Sequence, residues 1–224
     1  TKSLNFSNVK RLATASLLAS ALIVAPVVED SVTAAQPKAS VVLAKLAVKG
    51  RAPKTGYDRS LFSAGWGSIG SCDTRNYILA RDLKSITWRS SPACTVATGI
   101  LDDPYTGRRI NFVRGVGTSN AVQIDHVVAV SDAWQKGAQQ LSSSKRYNFY
   151  NDPLNLLAVD GPTNGQKSDS DAASWLPPNK SYRCAYVSRQ IAVKAKYGLW
   201  VTQAEKDAMR SVLKSCPTQL IPTS

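Results

Sequence analysis

Histidine is almost absent from this chain, with one, His126, in 224 residues. A zinc site built from several imidazoles is therefore excluded, and any catalytic imidazole has to be this one. Cysteine is scarce too. Cys72, Cys94, Cys184 and Cys216 contain no C-x-x-C pair, so a zinc knuckle is missing. No G-x-S-x-G stretch offers a serine nucleophile. The segment "GPTNGQKS", Gly161–Ser168, fails as a phosphate loop because three residues separate its glycines and Gln166 stands where lysine is needed. Acidic residues are few, 15 against 28 Lys plus Arg, for a net charge of +13. That imbalance points to a polyanion such as nucleic acid, an acidic wall polymer or an anionic membrane, without choosing among them. The N-terminal apolar run, Leu12–Val28, holds Pro26 and stops after 17 residues at Glu29 and Asp30, which is short for a permanent span.

What surrounds that run is informative. Lys2, Lys10 and Arg11 precede it and "SVTAAQ" follows, the three-part layout of a secretory signal over residues 1–35, cut near Ala34 or Ala35. A retained membrane anchor is the alternative. The segment carries three positive and two negative charges, so its removal leaves about +12. An even cysteine count suits an oxidising destination, and three pairings are open. Cys72–Cys94 with Cys184–Cys216 is the expected one, because each bridge closes a loop within one half of the chain and stabilises by roughly 3 kcal/mol.

Residues 36–55 are Ala, Val, Lys and Pro with little periodicity and read as a linker. One domain is expected over 56–217, and a core of about 170 residues buries about 70% of its unfolded surface, enough to fold alone. Asp73 is a natural N-cap for a helix over Thr74–Lys84. "CTVATGILDDP" and "RRINFVRG" read as strands flanking a turn at Asp103–Gly107, and Ala121–Val130 is a third strand-like run. The stretch from Ser131 to Asp152 looks helical, and "LNLLAVD" is a short buried strand. Thr163 and Gln166 have capping-box spacing, which predicts a helix starting at Asn164. Ser181–Tyr197 is a helix stopped by Gly198, and Thr202 with Glu205 opens a last helix to Cys216. The order excludes alternating βαβ units and makes the fold class α+β.

Within that order, Asp125-His126, Asn155 and Asn164-x-x-Lys167 form the pattern D-H … N-L … N-x-x-K. It resembles the HNH, or His-Me finger, endonucleases. The closest resemblance is to secreted bacterial HNH-type proteins related to the C-terminal nuclease domain of GmrSD-type restriction enzymes. "CDTRNYILARDL", "DHVVAVSDAW", "DPLNLLAVDG" and "DAASWLPPNK" carry it over roughly residues 57–216. The resemblance implies a ββα-metal core with additional helices, stabilised by disulfides. It makes His126 the general base, Asp125 and Asn164 the ligands of Mg²⁺ or Mn²⁺, Asn155 the residue orienting the imidazole, and Lys167 a phosphate neutraliser. An imidazole titrating near neutrality suits the base, and hard oxygens suit the cation. Many HNH proteins add a structural zinc on paired cysteines. Val159, Asp160 and Thr163 stand there instead, so no zinc is expected. The 29 residues from His126 to Asn155 imply an inserted helix.

Arg75, Arg108, Arg109 and Arg114 are candidates for nucleic-acid backbone contacts. Lys167, Asp169 and Asp171 can also be read as a plain solvated helix face. The expectation is a secreted, metal-dependent endonuclease of low sequence specificity, with DNA rather than RNA as substrate. Its competitor is a cell-surface protein of the same fold that binds DNA or another polyanion without cutting it. An immunity or inhibitor partner, and the oligomeric state, leave no signature in the sequence.

Overall fold

The stretch expected to be a linker holds the first helix, α1 (Ala39–Lys45). The structure, a computed structural model, describes residues 35–223, so the expected signal segment lies outside it apart from its last position. Ala39, Val42, Leu43 and Leu46 follow helical spacing and pack into one cluster with Val187, Ile191, Met209 and Leu213 of the two C-terminal helices. The Nζ of Lys206 donates to the carbonyls of Ala44 and Leu46, closing the helix end. The compact body accordingly starts at Ala35 rather than at Gly56. Its two ends are neighbours: the amide of Ala39 donates to the Gln219 carbonyl and that of Ile221 to the Pro37 carbonyl.

Next comes a two-strand ribbon, β1 (Ser68–Ile69) and β2 (Cys72–Asp73), leading directly into α2 (Thr74–Asp82). Asp73 caps α2 as expected, accepting from the Asn76 amide at 2.6 Å. The helix ends two residues early because Leu83 is extended and Lys84 opens a strand that sequence reasoning missed. That strand, β3 (Lys84–Trp88), pairs antiparallel with β4 (Val96–Asp102), which pairs with β5 (Arg109–Val113). The β4–β5 turn is organised by Asp103, which accepts from the amides of Tyr105 and Thr106 and from that of Asp160 in the next sheet. Tyr105 is thereby delivered to the interior, where it is fully buried.

The second sheet is the pair β6 (Val122–His126) and, after a long excursion, β7 (Leu156–Asp160), antiparallel with Asp125 opposite Leu157. The excursion is not one helix. It contains α3 (Val130–Trp134) and α4 (Ser143–Asn151), interrupted at Gly137, whose φ is 119°. A Cβ there would also meet the Trp200 ring at 3.1 Å, so this position needs glycine. Helix α5 (Gly161–Lys167) follows β7 at once. It starts three residues before the expected Asn164, because the side chain of Asp160 accepts from the Thr163 amide and Pro162 occupies the first turn. Gly161 is required: a Cβ would lie 2.0 Å from the Asn120 carbonyl.

Helices α6 (Arg183–Tyr197) and α7 (Gln203–Leu213) complete the fold, with Gly198 left-handed after α6 and the Thr202–Glu205 capping box in place before α7. The disulfides are Cys72–Cys94 and Cys184–Cys216, the local pairing. The fold is α+β. Among the described residues no helix is long and apolar enough to cross a membrane.

Six charged residues sit together where α3, α6, α7 and the segment after α5 meet. Lys136 Nζ lies 2.8, 2.7 and 2.7 Å from carboxylate oxygens of Asp132, Asp171 and Glu205. Arg51 pairs with Asp132 and Asp171, and Lys194 with Glu205. Asp171 is thus buried in a balanced ionic network and is no solvated helix face.

Candidate active site

Asp125 and His126 are consecutive on β6, so their side chains leave the strand on opposite faces. Both are nonetheless buried, 5% and 4% exposed, and both border one cleft of about 300 Å³. Asn164 on α5 borders it too, with Tyr57, Arg59, Ser131 and Asp169. The hairpin register and the immediate β7–α5 turn bring the three residues together from positions 39 apart.

The imidazole is fixed on every side. Its Nε2 lies 2.8 Å from the Tyr150 carbonyl, and a carbonyl can only accept, so this nitrogen carries the proton. The other nitrogen, Nδ1, therefore holds the lone pair. Trp66 stacks parallel to the ring at 5.6 Å, and the Tyr150 ring packs 4.4 Å away. Burial, then the nearby Arg59 cation, push the His126 pKa down to about 3 against the opposing pull of the Tyr150 carbonyl. The ring is neutral throughout the neutral pH range, and it titrates well below the near-neutral value the sequence led us to expect of a general base.

Asn155 was expected to orient this imidazole, but its side-chain and carbonyl hydrogen bonds go to the main chain of Val127 and Val128. It ends the short turn Pro153–Asn155 before β7, and its Oδ1 accepts from the Val128 amide at 2.8 Å. Its Nδ2 donates to the Val128 carbonyl and its own carbonyl accepts from Val127. Asn155 thus clamps the two residues after His126, and the orienting group is a main-chain carbonyl of α4.

Asp125 has a partner at each oxygen. The Tyr105 hydroxyl donates to Oδ2, and Lys167 Nζ lies 3.0 Å from Oδ1. Burial raises its pKa by more than Lys167 and Tyr105 lower it. Lys167 was expected to meet phosphate. It is fully buried and spends its ammonium on Asp125 and on the His126 carbonyl at 2.9 Å. Its position one turn after Asn164 carries it beneath the hairpin instead of into the cleft. Asn164 is half-buried. Its Nδ2 donates to Gln123 Oε1 at 2.9 Å, and this leaves Oδ1 as the atom for an incoming ligand.

The carboxylate of Asp125 and the amide oxygen of Asn164 are hard oxygen donors, the kind that a divalent cation such as Mg²⁺ takes. The Asn164 amide oxygen is oriented by Gln123, and each Asp125 oxygen keeps a second lone pair. No cluster of three or more His, Cys, Asp or Glu able to hold a metal occurs among the described residues, so water and phosphate would complete the shell.

None of the four candidate arginines lines the cleft. Arg109 pairs with Asp102, and Arg114 donates to the Val96 carbonyl and to Asn76. Arg75 lies over the Phe112 ring, and Arg108 is exposed on the β4–β5 turn. Sequence reasoning missed Arg59, Trp66, Tyr105 and Tyr150. Three of these are aromatic residues, which by type alone read as core. Asp169, one of the three residues of the supposed solvated face, borders the cleft. Burial pushes its pKa up, but Lys54 and Ser131 outweigh that and hold it low.

The pattern of the C-terminal domain of GmrSD restriction endonucleases matches residues 73–212, from the cap of α2 to the last turn of α7. The chain belongs to this family. Among curated proteins, an "Uncharacterized secreted protein" of Arthroderma benhamiae (strain ATCC MYA-4681 / CBS 112371) is 37% identical over 180 residues, covering 80% of this chain and 84% of that protein. For this member of the GmrSD C-terminal family, membership supports nuclease activity, a hydrolase acting on nucleic acid, as the general class. The match encloses Asp125, His126, Asn155, Asn164 and Lys167, but it leaves out α1 and the segment that carries Arg59 and Trp66.

Proposed function

We propose that this protein is a secreted, metal-dependent endonuclease of the HNH type, in which His126 is the general base. One observation carries the reading. The ring proton is held on Nε2 by the Tyr150 carbonyl, so Nδ1 carries the lone pair, on a residue that borders one cleft with Asp125 and Asn164. There Nδ1 takes the proton of a water attacking phosphorus, and Trp66 and Tyr150 keep the ring from turning away. Asp125 and Asn164 would hold the cation, Mg²⁺ or Mn²⁺, with Tyr105 and Lys167 fixing the carboxylate. When bound, that ion supplies positive charge to the phosphate and the leaving oxygen. On this reading β6, β7 and α5 are the ββα core of the site.

The net charge of +13 supports a polyanion substrate, and DNA is the one we favour. Arg75 and Arg108, whose guanidinium groups make no hydrogen bond or ion pair among the described residues, are better placed for backbone contacts than Arg109 or Arg114. We favour cleavage of low sequence specificity, because contacts to phosphate position a nucleic acid without reading its bases. Secretion is supported by the two disulfides and by the name of the relative. The direct test is plasmid cleavage with Mg²⁺ or Mn²⁺. Wild type nicks the DNA, EDTA stops it, and His126→Ala loses about 10²–10⁴-fold in rate. Binding without cleavage, indifferent to EDTA and to His126→Ala, would instead identify a polyanion-binding protein.

A further inference from the structure

Arg59 is the cation among the residues bordering the cleft, and it has no carboxylate within ion-pair distance among the described residues. Its place is built, not incidental. It opens the short turn Arg59–Leu61, which Asp58 caps by accepting from the Ser60 amide at 2.7 Å. The next residue, Phe62, is buried against Trp134 and Phe149. Arg146 donates to the Leu61 carbonyl, tying the turn to α4. The guanidinium lies 5.0 Å over the Tyr150 ring, with Nε 3.2 Å from the Tyr150 hydroxyl. Its Nη2 then stands 3.5 Å from His126 Nδ1.

One tyrosine thus governs both sides of the imidazole: its carbonyl holds Nε2, and its ring and hydroxyl hold the arginine against Nδ1. An arginine can only donate, and Nδ1 is the acceptor of this tautomer, so the guanidinium covers the lone pair that a general base needs free. We propose that Arg59 is the residue that receives the substrate's phosphate, and that it covers the His126 lone pair until it does. A phosphate oxygen is a charged acceptor and outcompetes a neutral imidazole for the same donors. The arriving phosphodiester draws the guanidinium off Nδ1, and the base is uncovered only with a phosphate beside it. This rests on reading the cleft as a nuclease site, but its test requires no cleavage.

Because the chain has a single histidine, acylation by diethyl pyrocarbonate, read by the absorbance of the modified imidazole, reports on His126 alone. His126→Ala is the blank. Arg59→Ala is expected to be acylated severalfold faster than wild type. In EDTA it should bind a short fluorescein-labelled single-stranded DNA about tenfold more weakly, the loss of one charge-assisted hydrogen bond. Arg59→Lys keeps the charge but not the fork. It should be acylated as fast as Arg59→Ala, with an affinity between that variant and wild type. An unchanged acylation rate in Arg59→Ala, or an unchanged affinity, overturns the proposal. A protein that meets both expectations yet leaves plasmid intact with Mg²⁺ keeps the Arg59 assignment and removes the nuclease reading. Plasmid cleavage with no change in His126 acylation does the opposite.

Discussion

At the residue scale, the unexpected finding is how much of the site's polarity is turned inward. Lys167 has the residue type and helix position of a phosphate contact, yet it is buried and neutralises Asp125 from below. The two roles predict different outcomes. As a buried partner, Lys167→Ala leaves a carboxylate unpaired in the interior and costs about 3–5 kcal/mol of stability in urea unfolding. A phosphate contact would weaken DNA binding and leave stability unchanged. Tyr105→Phe removes a donor from the same carboxylate and should cost about 1–3 kcal/mol, read as a lowered melting temperature. Residue type and spacing singled out Asp125, His126 and Asn164, and the structure brings these three to one cleft. It could not reveal what holds the imidazole, since a main-chain carbonyl such as that of Tyr150 has no residue signature. Arg59 lies in a stretch without a motif, and only its distance to Nδ1 marks it.

At the element scale, legibility followed local chemistry. Helices α2 and α7 begin where their side-chain caps stand, and α6 ends at its glycine. These boundaries are set by hydrogen bonds a few residues long. Helix α5 was misplaced by three residues because Asp160 and Thr163 compete as caps, and the strand-to-helix turn decided for Asp160. Helix α1 was missed altogether. Seven residues of Ala, Ser, Val, Leu and Lys are too short to be stable alone, and contacts with α6 and α7 supply the difference. Leu43→Ala should therefore cost about 2–5 kcal/mol in chemical unfolding, a core value that no linker residue would give. A linker there would leave the unfolding midpoint unmoved.

For the whole molecule, the ionic network around Lys136 joins segments that are distant in sequence, and its pH response has a definite sign. Burial alone would raise the Asp171 pKa, but Lys136 and Arg51 outweigh it and hold the carboxyl below its ordinary value. A depressed acid stabilises the fold above its unfolded pKa of about 3.9 and loses that contribution as pH falls through the lower folded value. Stability measured from pH 5 downwards should fall, with a shallower acid limb in Asp171→Asn from a less stable starting point. A limb of the same slope in both proteins would place the acid sensitivity elsewhere.

The ends of the body meet through main-chain hydrogen bonds at Pro37, Ala39, Gln219 and Ile221. Because they already touch, a few glycines and serines could join them at little loop-closure cost. New ends could then be opened just before the exposed Ser142, ahead of α4. Such a circular permutant would keep every strand pairing and both disulfide partners within one chain. It would separate α3 from α4 in connectivity while leaving Tyr150 on the segment that leads into β7. The permutant should fold and retain the imidazole's surroundings, because the contacts around the ring do not depend on where the loop is opened.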